Sequence, residues 1–175
     1  MKKIILTMFI AFGLCNSIKA QVQQVEWEIL SLGAIFPTYE YATVGAILAT
    51  EVRFNFLDGR ISPGMQLSLS GFDTKKRDPY TNSIYRYLKH FTSLQGSCDY
   101  NFRPRNKVSF FTGLGLRFVG FSSDDWEDDF WISLPVRVGC EFYKRVRVSV
   151  EYVPMKYGLG HFSTRLGYVI GGRNK

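Results

Sequence analysis

The sequence is poor in the patterns that carry most known chemistry. Only three cysteines occur among its 175 residues, and they lack zinc-site spacing. It has no phosphate-binding loop and no nucleotide fingerprint. No stretch combines a helical period with caps, which argues against a helical domain. Long apolar runs are missing too. The run at residues 4–14 covers eleven positions, well short of the ~20 a membrane-spanning helix needs. A formal charge of +7 comes with no basic helix and no aromatic RNA-binding signature, so no nucleic-acid partner is expected.

What is present begins with a leader. Lys2 and Lys3 precede the apolar run, and a polar stretch ends in Ile18-Lys19-Ala20. A basic start, a short apolar centre and a small residue at the cut describe a secretory signal. Cleavage is expected after Ala20, leaving Gln21 first and a net charge of +4. A lipoprotein anchor at Cys15 is the rival, but Leu14 stands where such a signal wants a small residue. The expected organisation is a signal peptide at residues 1–20 and a single domain at 21–175, an ordinary size for one domain.

Beyond the leader, hydrophobicity alternates with period two, and turn residues interrupt it at regular intervals, as in strands with two different faces. The pattern predicts eight strands, at about 25–36, 42–56, 61–72, 85–102, 107–121, 130–143, 145–154 and 161–171. Connections after the even strands are tight: Leu57-Asp58-Gly59-Arg60, Arg103-Pro104-Arg105-Asn106, and little more than Lys144. Two of those after odd strands are longer, at residues 73–84 and 122–129. Short turns on one rim and longer loops on the other are the pattern of outer-membrane barrels. The fold expected is therefore all-β: an eight-stranded antiparallel up-and-down transmembrane β-barrel with short periplasmic turns and periplasmic termini.

One face of each strand is apolar, as in Val44, Ala46, Leu48, Val52 and Phe54, or Val108, Phe110, Leu114, Leu116 and Phe118. The other carries charges among glycine and serine. Its charges are Glu51, Arg53, Lys89, Asp99, Arg117, Arg137, Glu141, Arg147, Glu151 and Arg165, with Glu26 or Glu28 as a further acid. A soluble periplasmic barrel binding a ligand would turn the apolar face inward, whereas a membrane barrel turns it outward. Three features favour the membrane. The polar face is rich in small residues, which suits a cramped lumen. Its cations are nearly all arginine, the residue suited to enclosed, forked ion pairs. Aromatics such as Trp27, Phe54, Phe56, Tyr100, Phe102, Phe142 and Tyr168 gather near strand ends, like the girdle at a membrane boundary.

An eight-stranded barrel is only wide enough for side chains to fill. Nearly balanced lumen charges then predict a plug of crossed ion pairs and water, because an unpaired buried charge is costly. By the same parity Cys98 and Cys140 both point to lipid on strands separated by a third, too far apart for a disulfide. Two features break the pattern. The first strand changes parity between Ile29 and Leu32, which predicts a bulge. Pro135 sits in mid-strand, where a second bulge is expected.

The segments Thr112-Gly113-Leu114-Gly115-Leu116-Arg117, Ile132-Ser133-Leu134-Pro135-Val136 and Leu166-Gly167-Tyr168-Val169-Ile170, with the Ala20-Gln21 junction, carry a resemblance. On them the chain resembles the small outer-membrane β-barrel proteins of Bacteroidota. The resemblance implies a fold and no activity, and proline recurs at the Pro135 position in such families. The chain departs from them at its end. They usually finish on an aromatic residue read by the barrel-assembly machinery, whereas Gly172-Arg173-Asn174-Lys175 follows here.

Two constellations carry candidate chemistry. His161 and Ser163 lie two apart on one strand face, and a similar pair occurs in outer-membrane lipid A deacylases, where histidine activates serine. An acid is needed to orient the histidine. No carboxylate follows Ser163, and Glu151 on the preceding strand is a distant substitute. The run Asp124-Asp125-Trp126-Glu127-Asp128-Asp129 offers oxygen ligands of the kind calcium takes, but a lone acidic run is usually a solvated tip. The Lys75-Lys76-Arg77 stretch could pair with it or meet lipopolysaccharide phosphates.

The leading reading is a non-enzymatic, monomeric barrel without a cofactor, serving envelope structure, adhesion or assembly through its surface loops. Its expected partners are outer-membrane lipid, lipopolysaccharide and the assembly machinery. The alternatives are a lipid A deacylase-like hydrolase and a soluble periplasmic ligand-binding barrel.

Overall fold

The computed structural model describes residues 24–38, 41–77, 84–104, 106–123, 126–155 and 160–171, with only the backbone at 76–77, 85–87, 121–123 and 126–129. The expected leader falls outside them. Nine strands follow in order: β1 (Gln24–Pro37), β2 (Gly45–Asn55), β3 (Ile61–Arg77), β4 (Ile84–Asn101), β5 (Val108–Ser123), β6 (Trp126–Ser133), β7 (Val136–Phe142), β8 (Val146–Val153) and β9 (His161–Gly171). Successive strands pair antiparallel, β5 takes both β6 and β7, and β9 pairs with β1. β6 and β7 are two halves of one barrel strand. The result is a closed eight-stranded antiparallel barrel. Closure leaves no sheet edge in the wall, the only way a β-structure satisfies its backbone in lipid.

The parity of the sequence becomes the two sides of this wall. Leu48, Leu67, Leu94, Leu114, Ile132, Val138 and Leu166 project outward and are exposed, while the small and charged residues of the same strands are buried. This is the arrangement opposite to a soluble barrel with an apolar interior. Aromatics mark both ends of the outer wall. Trp27, Phe54, Tyr100, Phe102, Phe142 and Tyr168 lie toward the short-turn rim; Phe36, Phe118, Phe130, Tyr152 and Phe162 lie toward the other. On β5 the two levels, Phe110 and Phe118, are eight residues apart. At ~3.3 Å per residue and a tilt of ~40° this is roughly 20 Å, near the ~25 Å of a membrane-barrel belt.

The bulge in β1 is where the broken parity put it. The register to β2 and to β9 each slips by one residue after Glu28, so Ile29 and Leu30 both face outward. The expected bulge at Pro135 is absent. Arg117 to Leu114 on β5 stay in unbroken register with Ser133 to Val136. The Pro135 carbonyl accepts the Gly115 N–H at 2.9 Å, so the donor that proline lacks would have faced this same strand. One ladder bond is given up without any slip, and the ring fits because it is fully buried against a glycine.

The connections also differ from expectation. β3 runs on to Arg77 and β4 starts at Ile84, in register throughout, so residues 73–77 and Ile84, predicted as loop, are strand. β5 and β6 likewise extend to Ser123 and from Trp126. These polar residues look like loop by composition, yet an antiparallel pair satisfies its backbone equally well in water. The short turns are as tight as expected. Tyr143 and Lys144 both have positive φ, at 49° and 58°, as a two-residue hairpin turn of type I′ requires.

Candidate functional site

Among the described residues, the buried charged side chains gather in the lumen. The structure puts all ten of the charged residues picked by parity inside it, together with both Glu26 and Glu28. Six cations thus meet six carboxylates among the described residues.

The pairs cross the barrel. Arg137 on β7 reaches Glu51 on β2, diametrically opposite, at 2.6 Å, and Asp99 on β4 at 2.7 Å. Both its terminal nitrogens donate to Glu51, while Nε and Nη2 fork onto Asp99. Arg147 continues the network to Asp99, to Glu141 at 3.6 Å and to Glu28 at 3.8 Å. Arg53 gathers Glu28 at 3.0 Å, Glu26 at 3.3 Å and Glu141 at 3.7 Å. Toward the other end Glu151 accepts from Arg117 and, at 3.4 Å, from Arg165. Gln66 joins the halves by accepting from Arg137 and Arg165. Glycines let these groups fit. A Cβ at Gly113 would collide with the Asp99 carboxylate, and one at Gly167 with that of Glu28. The Arg147 guanidinium also lies 3.6 Å from the Phe111 ring centroid, a desolvated cation–π contact.

Above the ion pairs the lumen changes character. Ile35, Ile47, Phe72, Phe91, Val119 and Trp131, one from each of six neighbouring strands, form a buried apolar layer. Val153 and His161 on β8 and β9 face each other in register, both buried. Phe91 stacks on Phe72 at 5.3 Å and lies 6.4 Å from the His161 ring. An ionic plug with water was expected throughout, so this layer is a correction. Its signal was legible: the six residues of this layer stand at lumen parity toward the long-hairpin rim, whereas the buried apolar residues Phe111 and Val169 sit lower, beside the charges.

His161 and Ser163 both point inward, as parity implied, but no catalytic arrangement forms among the described residues. Ser163 is fully buried and its hydroxyl has no hydrogen-bond partner. Glu151 is the direct cross-strand neighbour of Ser163, nearer in register than expected, yet its carboxylate is taken by Arg117, Arg165 and Gln95. Of the calcium candidates, Asp124 and Asp125 lie outside the described residues. Glu127, Asp128 and Asp129 are described only by their backbone, which is strand. Among the described residues no cluster of three potential metal ligands occurs. Cys98 and Cys140 are free and lie on the outer wall, on strands separated by β5.

A closed eight-stranded barrel with an apolar outer wall and an ion-paired interior has the architecture of small outer-membrane proteins. Solved structures of that kind match almost their whole length. They include the N-terminal β-barrel domain of Pseudomonas aeruginosa OprF (14% identity, TM-score 0.51, 87% of this chain and 99% of that one). Neisserial surface protein A follows at 15% identity and TM-score 0.50, covering 86% and 96%. The Yersinia pestis outer membrane protein Ail, in a phospholipid bilayer nanodisc, matches at 16% and 0.50, covering 85% and 99%. At these identities the likeness is one of fold. No family description and no curated protein matches the chain.

Proposed function

We propose that this protein is a non-enzymatic barrel of the bacterial outer membrane, with a closed lumen, that serves envelope structure, adhesion or assembly through its long-hairpin rim. The observation that carries the reading is the inversion of the wall. Leucine, valine and phenylalanine face out between two aromatic levels, while arginine and carboxylates fill the inside. A water-soluble protein would expose far less contiguous apolar surface. The even strand count puts both ends of the barrel on the short-turn rim, which this reading places in the periplasm. The closed lumen follows from two barriers in series, the apolar layer and the crossed ion pairs, so no ion current is expected. The barrel acts as a monomer, with lipid and lipopolysaccharide around it and the assembly machinery as its partner during biogenesis. The resemblance to the Bacteroidota barrels supports the same assignment. The buried Ser163 hydroxyl, away from any lipid, supports a role without hydrolysis.

The test is cell fractionation, then electrophoresis of unheated and heated protein, then insertion into a planar bilayer. Recovery with the outer membrane, a heat-shifted band and no unitary conductance are expected. A protein that purifies from the periplasm without detergent would overturn the reading.

A further inference from the structure

We infer that the short-turn rim holds a binding site for the phosphate diester of a phospholipid headgroup. A cleft of about 320 Å³ opens there between two neighbouring turns, lined by Asp58, Arg60, Phe102, Arg103, Pro104 and Asn106. The turns are brought together because β3 and β4 pair to their ends, with Ile61 opposite Tyr100, and because the Asn101 N–H donates to the Arg60 carbonyl at 2.7 Å.

The charge on this rim is one-sided. Arg60, Arg103, Lys107, Lys144 and Arg145 all lie on the three short turns. None of these five cationic side chains has a hydrogen-bond or ion-pair partner among the described residues. This contrasts with the lumen, where each arginine has a carboxylate. Asp58 is the single acid among the described residues of those turns. Two arginines lining one cleft suit a tetrahedral anion, which guanidinium groups grip through paired N–H donors.

The wall above the cleft argues for a lipid rather than a free ion. Phe102 lines the cleft and is 56% exposed. Its ring meets that of Tyr100 edge to face at 5.3 Å, on the aromatic level where headgroups end. Further up, Gly96 lies between Met65 and Leu116 on the neighbouring strands. A Cβ there would touch nothing within 4 Å, so the outer wall is indented where an acyl chain would run. Phosphate at the arginines and hydrocarbon along Phe102 and Gly96 match the two ends of one phospholipid. The inference rests on the proposed membrane placement of this rim.

The experiment is native mass spectrometry of the detergent-released full chain, with phosphatidylglycerol, phosphatidylethanolamine or inorganic phosphate added. One retained phospholipid per barrel is expected for the natural protein. Arg60→Gln with Arg103→Gln should lower its occupancy at least tenfold, whereas Lys144→Gln with Arg145→Gln should leave it unchanged. Equal loss in both double variants, or none in either, overturns the site. Displacement by inorganic phosphate at equal concentration overturns the lipid assignment in favour of a simple anion site. A heat-shifted band from each variant shows that it has folded. Its absence from the natural protein counts against the membrane placement and not against the cleft.

Discussion

Arg137 shows what a single side chain does in this barrel. It is fully buried and holds two carboxylates that come from β2 and β4, neither adjacent to its own strand. Removing one partner of a buried pair leaves an uncompensated charge, typically at ~3–5 kcal/mol. Arg137→Met should therefore lower the stability of the folded barrel by about that amount, read from its denaturant midpoint in lipid vesicles. Adding Glu51→Gln and Asp99→Asn should recover part of the loss, because the stranded charges go with it. An equal or larger loss in the triple variant would show that the ion pairs are not what Arg137 contributes. Ser163 is the opposite case. Its hydroxyl is buried and unbonded, so Ser163→Ala should shift stability by less than about 1 kcal/mol. It should also leave the acylation of membrane lipid A unchanged. A change in that acylation would revive the hydrolase reading.

At the scale of the strand, register decides everything, because side chains alternate faces with period two. β1 carries one residue more than strict alternation allows, and the bulge at Ile29 and Leu30 absorbs it. Deleting Leu30 should restore plain alternation and still give a heat-shifted barrel. Deleting Leu48 from the regular β2 should not. It would turn either Glu51 and Arg53 or the upper half of the strand to the wrong side of the wall. Electrophoresis of the two deletions, heated and unheated, checks this, and equal behaviour would mean that register is held elsewhere. Pro135 makes the complementary point. A missing N–H costs one ladder bond but no slip, since the neighbouring strands fix the register on both sides.

For the whole molecule, the outer wall can be tested against its proposed solvent. Leu114 is 66% exposed near the middle of β5. Leu114→Arg should cost ~2–4 kcal/mol in a bilayer if that level is the membrane core. In a water-soluble barrel an exposed position would tolerate it within ~0.5 kcal/mol. The two free thiols provide an independent check. Cys98 and Cys140 face the same wall, so a charged maleimide should miss both in the folded, bilayer-inserted protein and label both after unfolding. Rapid labelling of the folded form would place that wall in water.

The sequence by itself determined the strand count, the two faces, the β1 bulge and the tight turns. Each depends on local alternation and turn chemistry, which a strand carries wherever it ends up. The ten charged residues of one face could be named for the same reason. Which of them meet was beyond reach, because Arg137 and Glu51 are 86 residues apart and touch only when closure puts β7 opposite β2. Tertiary structure also decided the apolar layer, which needs six strands brought to one level, and the unslipped passage of Pro135, which needs a glycine across from it. The cleft at the short-turn rim belongs there as well. Its two arginines stand on different turns, and only the full-length pairing of β3 with β4 makes them neighbours.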